Sequence, residues 1–260
     1  MRCSIAALQA FSKPPAFSKA LHGSSAFRFY SRRMDTPSTS RLRVWDWPTR
    51  LFHWLLAACS VGLIVTAKLG GNAMEWHLRL GHVMVALLLF RVLWGLKGGH
   101  WSRFATWCSS LARLPSYLRG KAQPMDRVGH SPLGTLAAIV LLLALALQLG
   151  TGLVSDDEIA FAGSLTRWVD SATVAWATSW HHGWGEVVLW TVLGLHVAAI
   201  AYYSLVRRQR LVGAMLHGDQ PSEDADLPAS ADGPGQWLVA LIFAFASAIM
   251  AYWIWTRGSF

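Results

Sequence analysis

Five long apolar stretches alternate with polar segments along the chain. They cover residues 51–69, 78–96, 133–154, 187–206 and 237–255. Each has about the 17–25 residues that a helix needs to cross a bilayer. Because lipid offers no hydrogen-bond partners, the backbone of each stretch must bond to itself, as a helix does. The pattern therefore predicts an all-α integral membrane protein, a four-helix bundle with an appended fifth C-terminal transmembrane helix.

Composition points to the same class of protein. The chain is 53% hydrophobic and 14% charged, whereas a soluble domain carries about 25% charged residues. It contains 15 tryptophans, and many of them lie at the ends of the apolar stretches. Indole rings favour the headgroup region of a bilayer, so we interpret most of these residues as interfacial belts. The alternative is that some of them line a cofactor pocket.

Charge is distributed unevenly between the polar segments. Residues 1–50 contain nine Lys or Arg against two acids, and residues 97–130 contain six against one. Residues 155–182 instead contain four acids and one Arg. The positive-inside rule then predicts a multi-pass protein of the bacterial inner membrane, with a cytoplasmic N-terminus and the acidic loop outside. Because the net charge of +9 follows mostly from this asymmetry, we do not infer nucleic-acid binding.

Two segments of different composition flank the four-helix domain predicted over residues 41–218. Residues 1–40 are basic and rich in serine but lack the apolar core of a secretory signal, so we expect a disordered extension. Translation from Met34 is an alternative start. Residues 219–235 contain three prolines and five acids, which predicts a flexible linker. The additional transmembrane helix then covers residues 236–260.

Four histidines are expected at two matched depths. His182 and His196 are 14 residues apart, so on one helix they point the same way within about 40° and lie about 21 Å apart. That distance is most of a hydrocarbon core of about 30 Å. His53 and His77 lie near the starts of the first and second helices. Because successive helices alternate in direction, His53 should be level with His196, and His77 with His182.

Paired imidazoles at two depths suit two haem irons. Ionisable groups within a membrane are costly and are usually functional, although a single histidine is more often a packing residue. Two imidazoles per iron leave no open position, which favours electron transfer over oxygen chemistry. Copper or zinc would need further ligands that the sequence does not offer. Since the sequence contains no CxxCH motif, covalent c-type attachment is excluded. The expected cofactor is two non-covalent, six-coordinate haems.

At this point the chain resembles the prokaryotic cytochrome b561 family, which includes the b-type cytochrome subunits of nickel–iron hydrogenases. The matching stretches are RVWDWPTRLFHWLL, WHLRLGHVMVALLLFRVLWGL, GHSPLGTLAAIVLLL and HH…GLHVAAIAYY…RRQRLVGAMLHGD. The resemblance covers residues 41–218 and implies a four-helix bundle with two non-covalent b haems. It implies haem ligands at His53, His77, His182 and His196.

Two features leave alternatives open. His181 and His182 are adjacent, so only one of them can face inward and the ligand could shift by one residue. His82 competes on the second helix, although its position about 140° around the helix prevents it from sharing an iron with His77. Three arginines could neutralise haem propionates, since guanidinium groups suit carboxylates, or could extend to the interface instead. They are Arg50, Arg79 and Arg91.

The predicted function is that of a membrane b-type cytochrome. It carries electrons across the inner membrane between a quinone pool and an external partner. That partner is a periplasmic c-type cytochrome or a dehydrogenase or hydrogenase subunit. The alternative is a haem-bearing membrane anchor that docks such a catalytic subunit. A transporter with histidine proton relays would require acidic residues within the helices, and none lies clear of the helix ends.

Overall fold

The computed structural model describes residues 40–222, 224 and 226–258. The predicted extension over residues 1–40 therefore lies outside the described residues, apart from Ser40. Helices dominate the described part, and five helical segments are long and apolar enough to cross a membrane. The predicted all-α membrane bundle with a fifth C-terminal transmembrane helix is confirmed, and the chain is a multi-pass membrane protein.

The elements follow one another in a simple order, with short helices between the second and third membrane spans. They are β1 (Ser40–Arg43), α1 (Trp47–Leu69), α2 (Ala73–Lys97), α3 (Phe104–Ala112), α4 (Leu114–Leu118), α5 (Pro132–Val154), α6 (Ser171–His182), α7 (Trp184–Ala201), α8 (Leu211–His217), β2 (Asp219–Ser222) and α9 (Pro234–Gly258).

Helix α1 begins at a well-defined cap. Asp46 precedes it, and its side chain accepts a hydrogen bond of 2.8 Å from the Thr49 amide. Pro48 occupies the first turn, where a missing amide hydrogen does no harm. The helix ends before Gly70, whose φ of 62° lies in the left-handed region that favours glycine. The sequence DWP thus determines where the first span starts.

The fourth span differs from the single continuous helix that the sequence predicts. It is interrupted at Gly183, which has φ −112° and ψ −107° and separates α6 from α7. A π-helical turn, Tyr202–Val206, follows α7. Since Gly183 is not helical, residues before and after it do not share one helical register. The angle between His182 and His196 that a continuous helix predicts therefore does not apply.

Helix α9 is packed into the bundle and is more than an appended anchor. It lies along α2, and Val239, Ala240 and Phe243 pack against the main buried core. The Phe243 ring lies 6.4 Å from that of Trp94, which is 1% exposed. The fifth helix therefore contributes to the same core as the four predicted to form the bundle.

The predicted flexible linker over residues 219–235 also differs in the structure. Its first residues form β2, which pairs antiparallel with β1. Farther along, Ser230 donates a hydrogen bond of 2.7 Å to the Val44 carbonyl, and Asp232 lies 3.3 Å from Arg43. These contacts tie the segment across the end of the bundle where α1 begins, because polar and proline-rich residues can still pair their backbone with a neighbouring strand.

Candidate functional site

The predicted site histidines lie at two ends of the bundle. We call the first the His77 end, where α1 ends and α2 begins; it contains His77 and the tandem His181–His182. The second is the His53 end, where α1 begins and α2 ends, and it contains His53 and His196. The two ends differ in how the chain holds their polar side chains.

At the His77 end, the ring of His77 is oriented by the backbone of α1. Its Nδ1 lies 2.9 Å from the Leu63 carbonyl oxygen. A carbonyl only accepts, so Nδ1 must carry the proton and Nε2 presents a lone pair. The hydroxyl of Thr66 lies 3.4 Å from the same Nδ1. This arrangement is typical of histidines that bind a metal through Nε2.

His181 is held in the same way by α5. Its Nδ1 lies 2.9 Å from the Gln148 carbonyl oxygen, and the Gln148 amide donates a hydrogen bond of 2.9 Å to the His181 carbonyl. Gly152 gives the ring room, because a Cβ there would lie 2.7 Å from the imidazole Cε1. His181 therefore also leaves Nε2 free to bind a metal.

The distance between these two rings fits a shared iron. An imidazole nitrogen binds a metal at about 2 Å, and ring bonds of ordinary length put the centroid about 1 Å behind that nitrogen. Two rings on opposite sides of one metal thus have centroids about 6 Å apart. The His77 and His181 centroids are 6.2 Å apart, with an interplanar angle of 77°.

The two competing histidines are positioned differently. His182 is exposed, and its ring meets that of His181 edge-on at 5.3 Å. His82 has both ring nitrogens within hydrogen-bond distance of other groups, with Nδ1 2.8 Å from the Leu78 carbonyl and Nε2 3.1 Å from the Ser164 hydroxyl. The His181 ring therefore lies beside that of His77, while His182 lies within electrostatic range of His77 and both ring nitrogens of His82 are bonded elsewhere.

At the His53 end, the ring nitrogens are not tied to the backbone in this way. His53 and His196 are half-buried and lie close enough for their charged forms to repel each other. The Nδ1 atom of His53 is buried and has no hydrogen-bond partner among the described residues. An unsatisfied buried polar atom is costly, so such atoms indicate a missing partner.

Arg91 provides a buried cation at the same end. It is 5% exposed, and its Nη2 donates a hydrogen bond of 3.1 Å to the Ser102 carbonyl. Its guanidinium lies 4.4 Å from the Trp107 ring centroid and 5.1 Å from that of Phe104. Within the described part of the chain its Nη1 has no acceptor. The predicted role of Arg91 in binding a propionate is compatible with this free donor.

The other two predicted arginines are placed less favourably for binding a haem propionate. Arg50 donates through Nη2 to the Leu216 carbonyl, while its buried Nε finds no partner in the described segments. Arg79 is paired with Glu75 one turn earlier on α2 and lies over the Trp76 ring at 5.0 Å. Arg79 thus occupies the exposed surface of the helix, as the interfacial interpretation predicts.

Comparison with known proteins identifies the family. A model of prokaryotic cytochrome b561 matches residues 44–218, which span α1 to α8 and include both histidine pairs. The chain belongs to the prokaryotic cytochrome b561 family. It is therefore a membrane b-type cytochrome that acts in electron transfer, and haem b is its cofactor.

The curated relatives of this cytochrome b561 share one description, probable Ni/Fe-hydrogenase B-type cytochrome subunit. The protein from Bradyrhizobium diazoefficiens is 25% identical over 218 residues, which are 70% of this chain and 86% of the relative. The protein from Cupriavidus necator is 27% identical, and the alignment covers 70% of this chain and 87% of the relative. The protein from Azotobacter chroococcum is 28% identical over 212 residues, which are 67% of this chain and 86% of the relative. No solved structure gives a significant match to the chain.

Sequence reasoning missed Asp46, a fully buried acid of this cytochrome b561. Its carboxylate caps α1 and also accepts hydrogen bonds from the Gly99 amide at 2.8 Å and from Trp94 Nε1 at 3.2 Å. Gly99 must be glycine here, because a Cβ would lie 2.1 Å from the Asp46 carboxylate. Asp46 therefore joins the start of α1 to the end of α2. The signal in the sequence was the capping residue before Trp47-Pro48.

His130 is the second residue that sequence reasoning passed over. Its ring lies between those of Trp45 and Trp107, with centroid distances of 4.8 and 5.7 Å. Burial, followed by the nearby Arg91, His196 and His53, lowers the pKa of His130 to about 4. Its Nδ1 is buried and has no hydrogen-bond partner in the part of the chain that the structure describes. The GHSPLG stretch that opens α5 was the available signal.

Proposed function

We propose that this cytochrome holds two non-covalent b haems and transfers electrons between the two faces of the membrane. The observation that carries the proposal is the 6.2 Å between the ring centroids of His77 and His181. That spacing would let His77 and His181 hold one haem iron together, and His53 and His196 would hold the second. Paired imidazoles leave no open coordination position, which suits electron transfer.

For the His77 end we take His181 as the ligand in preference to His182. Two features support this choice: the Nδ1 of His181 is tied to the Gln148 carbonyl, and His182 is exposed. The non-helical Gly183 accounts for the shift by one residue relative to a continuous helix. A ligand whose other nitrogen donates to a carbonyl is both oriented and made more basic.

When bound, each haem supplies a centre that accepts and releases one electron. The residues of the chain do the rest. The carbonyls of Leu63 and Gln148 fix the orientation of His77 and His181. The apolar helices keep water away, and burial is one of the factors that determine the reduction potential of an iron centre. Arg91 would neutralise a propionate at the His53 end, since its Nη1 is a free buried donor.

We further propose that the His53 end faces the cytoplasm of a bacterium and that the N-terminus is cytoplasmic. The support is the distribution of charge: the loops at the His53 end are rich in Lys and Arg, whereas the loop between α5 and α6 contains Asp156, Asp157, Glu158 and Asp170. An external redox partner, a periplasmic c-type cytochrome or a dehydrogenase subunit, would then meet the acidic end. Reduction of a basic c-type cytochrome should slow as ionic strength rises, because salt screens such steering.

A quinone is the partner that we propose for the opposite end. A pocket of about 330 Å³ opens beside Trp107 and His130, and its lining also includes Trp101 and Thr135. Ligand pockets have about this size and combine aromatic walls with a few polar groups. Substitution Thr135→Val should raise KM for a quinol analogue and leave the haem spectrum unchanged. An unchanged KM would argue against this pocket.

The relatives favour a second candidate function. Their printed names describe subunits of a Ni/Fe hydrogenase, so this cytochrome would anchor a hydrogenase or dehydrogenase subunit and have little activity alone. Purified cytochrome, without any added subunit, distinguishes the two candidates. Rapid reduction by a quinol analogue supports the quinone-linked carrier, and failure to react without a catalytic subunit supports the anchor.

The number of haems is tested by a pyridine haemochrome assay on the purified protein. We expect two haems per chain, each with a b-type α-band. The substitution His196→Ala should remove one of the two signals and leave the other, because the pairs lie at opposite ends. The control is His82→Ala on α2, since both His82 ring nitrogens already bind other groups. One haem per chain in the unsubstituted protein would contradict the proposal.

A further inference from the structure

Two buried nitrogen atoms at the His53 end belong to side chains that contact the same aromatic ring, and both lack partners among the described residues. They are Nη1 of Arg91 and Nδ1 of His130. The guanidinium of Arg91 packs on the Trp107 ring, and the His130 ring meets the same indole edge-on at 5.7 Å. Both side chains therefore lie beside Trp107, and Arg91 is within electrostatic range of His130.

Both side chains are held in place by contacts with other groups. Arg91 is held by the Ser102 carbonyl and by the rings of Trp107 and Phe104. The His130 ring is enclosed by indole rings, with Trp45 on its other side at 4.8 Å. Leaving a buried donor unsatisfied costs about 1–3 kcal/mol, and more for a charged group. Arg91 Nη1 therefore requires an acceptor at this place, and His130 can share that acceptor in the tautomer that carries the proton on Nδ1.

The carboxylate of Asp46 already accepts hydrogen bonds from other groups. Asp46 lies within electrostatic range of Arg91, but its carboxylate accepts from the amides of Thr49 and Gly99 and from Trp94 Nε1. A buried cation without an ion pair is unfavourable. No described residue bonds to Arg91 Nη1 or His130 Nδ1, so an acceptor that these residues do not supply can bind here, and an anion suits a buried guanidinium.

We infer that Arg91 Nη1 and His130 Nδ1–H together bind one carboxylate of the haem held by His53 and His196. His130 is thus a positioning residue, which acts on the iron only through the propionate that it holds. This inference rests on the proposed function, because it requires a haem at the His53 end. It adds a residue outside the ligand pair that determines how firmly this haem is held.

The experiment compares His130→Ala with His130→Asn in the full chain. An asparagine amide can occupy the position of Nδ1–H, whereas alanine removes the donor. Hydrogen bonds to charged groups are worth about 1.5–3 kcal/mol, so alanine should speed loss of this haem about tenfold to a hundredfold. It should also lower the reduction potential of this haem, because the propionate keeps more of its negative charge. Asparagine should restore both properties, and the other haem should not change.

A matched control is His100→Ala, which removes another histidine from the pocket that opens beside Trp107 and His130. A second readout uses apoprotein reconstituted with the dimethyl ester of haem, which lacks the carboxylates. The ester oxygens still accept hydrogen bonds but carry no charge, so the difference in release rate between His130→Ala and the unsubstituted protein should become much smaller. An undiminished difference would overturn the inference, because His130 would then act without a carboxylate.

Other outcomes also decide the matter. Unchanged haem retention and potential in His130→Ala would overturn the inference while leaving two haems per chain intact. Loss of both haem signals in the alanine and asparagine variants alike would assign His130 to the fold and also overturn it. Absence of the second haem from the unsubstituted protein is a different result, which contradicts the proposed function itself.

Discussion

The two ends of the bundle hold their histidines by different means. At the His77 end, the ring nitrogens of His77 and His181 that face away from the proposed iron are bonded to backbone carbonyls. At the His53 end, buried nitrogens of His53, Arg91 and His130 have no partners in the described chain. The first pair is oriented by the helices themselves, whereas the second has buried nitrogens that a bound haem would complete on the proposed assignment.

If both ends bind haem as proposed, one bundle contains a preorganised site and a site that depends on its ligand. A preorganised site loses little conformational freedom on binding, so it retains its ligand when conditions become unfavourable. A site with unsatisfied buried donors is destabilised until an acceptor arrives. We therefore expect the His77 end to bind haem first and to release it last.

Substitution of the tandem histidines should have the largest effect and would break the comparison directly. We expect His181→Ala to lose one haem completely, because the ring beside His77 is removed. His182→Ala should retain both haems, since its side chain is exposed. Haem per chain and the two α-bands measure both results. If His182→Ala loses the haem instead, the proposed ligand assignment is wrong.

Removal of the Asp46 carboxylate should have the next largest effect. Asp46→Ala deletes the cap of α1 and leaves the Gly99 amide and the Trp94 indole unsatisfied. The summed loss in unfolding free energy is about 4 kcal/mol. Thermal denaturation followed at both haem bands should show the haem at the His53 end leaving first. Asp170→Ala, which removes the exposed cap of α6, should destabilise the protein less; an equal effect would contradict this prediction.

A pH series on the haem-free protein sharpens the comparison. The pKa of His130 in the folded protein, about 4, lies below the ordinary 6.5 of histidine, so this side chain resists protonation in the folded protein. Between pH 4 and pH 6.5 the unfolded chain binds more protons than the folded protein does. The free energy of unfolding should therefore decrease as the pH falls from 6.5 to about 4. The loss is at most about 3 kcal/mol.

The variant His130→Asn isolates this contribution from those of His53, His196 and the acidic groups. Chemical denaturation of both proteins across the pH range measures the difference. We expect the variant to lose less stability than the unsubstituted protein below pH 6.5. Parallel curves would show that His130 does not contribute.

The smallest predicted effect concerns the space that holds the His181 ring. A methyl group at Gly152 would lie 2.7 Å from that imidazole, whereas nothing lies within 4 Å of a Cβ at Gly150. We expect Gly152→Ala to weaken haem retention at the His77 end about tenfold, or about 1.4 kcal/mol. Gly150→Ala, two residues away on α5, is the control and should behave as the unsubstituted protein does. Haem release rates would test the pair, and equal rates would argue against steric control by Gly152.

Sequence reasoning performed best where a property depends on neighbouring residues. The apolar stretches correspond to five spans because length and polarity are local features that the bilayer itself requires. The start of α1 likewise follows from the capping aspartate and Pro48. The roles of His53, His77 and His196 as ligands remain predictions, although these residues lie in the two pairs that depth alone suggests.

The choice between His181 and His182 could not be made in this way. Helical periodicity assumes an unbroken helix, and Gly183 interrupts the fourth span. Which ring points inward then depends on the Gln148 carbonyl of another helix and on the space at Gly152. The same holds for the linker, where β2 is stabilised by pairing with β1 at the far end of the domain.

The amino-acid sequence alone indicated the class of protein, its membrane spans and its family. The length of the apolar stretches, the asymmetry of charge and the spacing of the histidines are all properties of the sequence. The tertiary structure was needed to show that the His181 ring lies beside His77, that α9 packs on α2, and that Arg91 and His130 both contact Trp107. The physical reason is that ring orientation and hydrogen-bond satisfaction depend on atoms of distant segments, which become neighbours only when the helices pack.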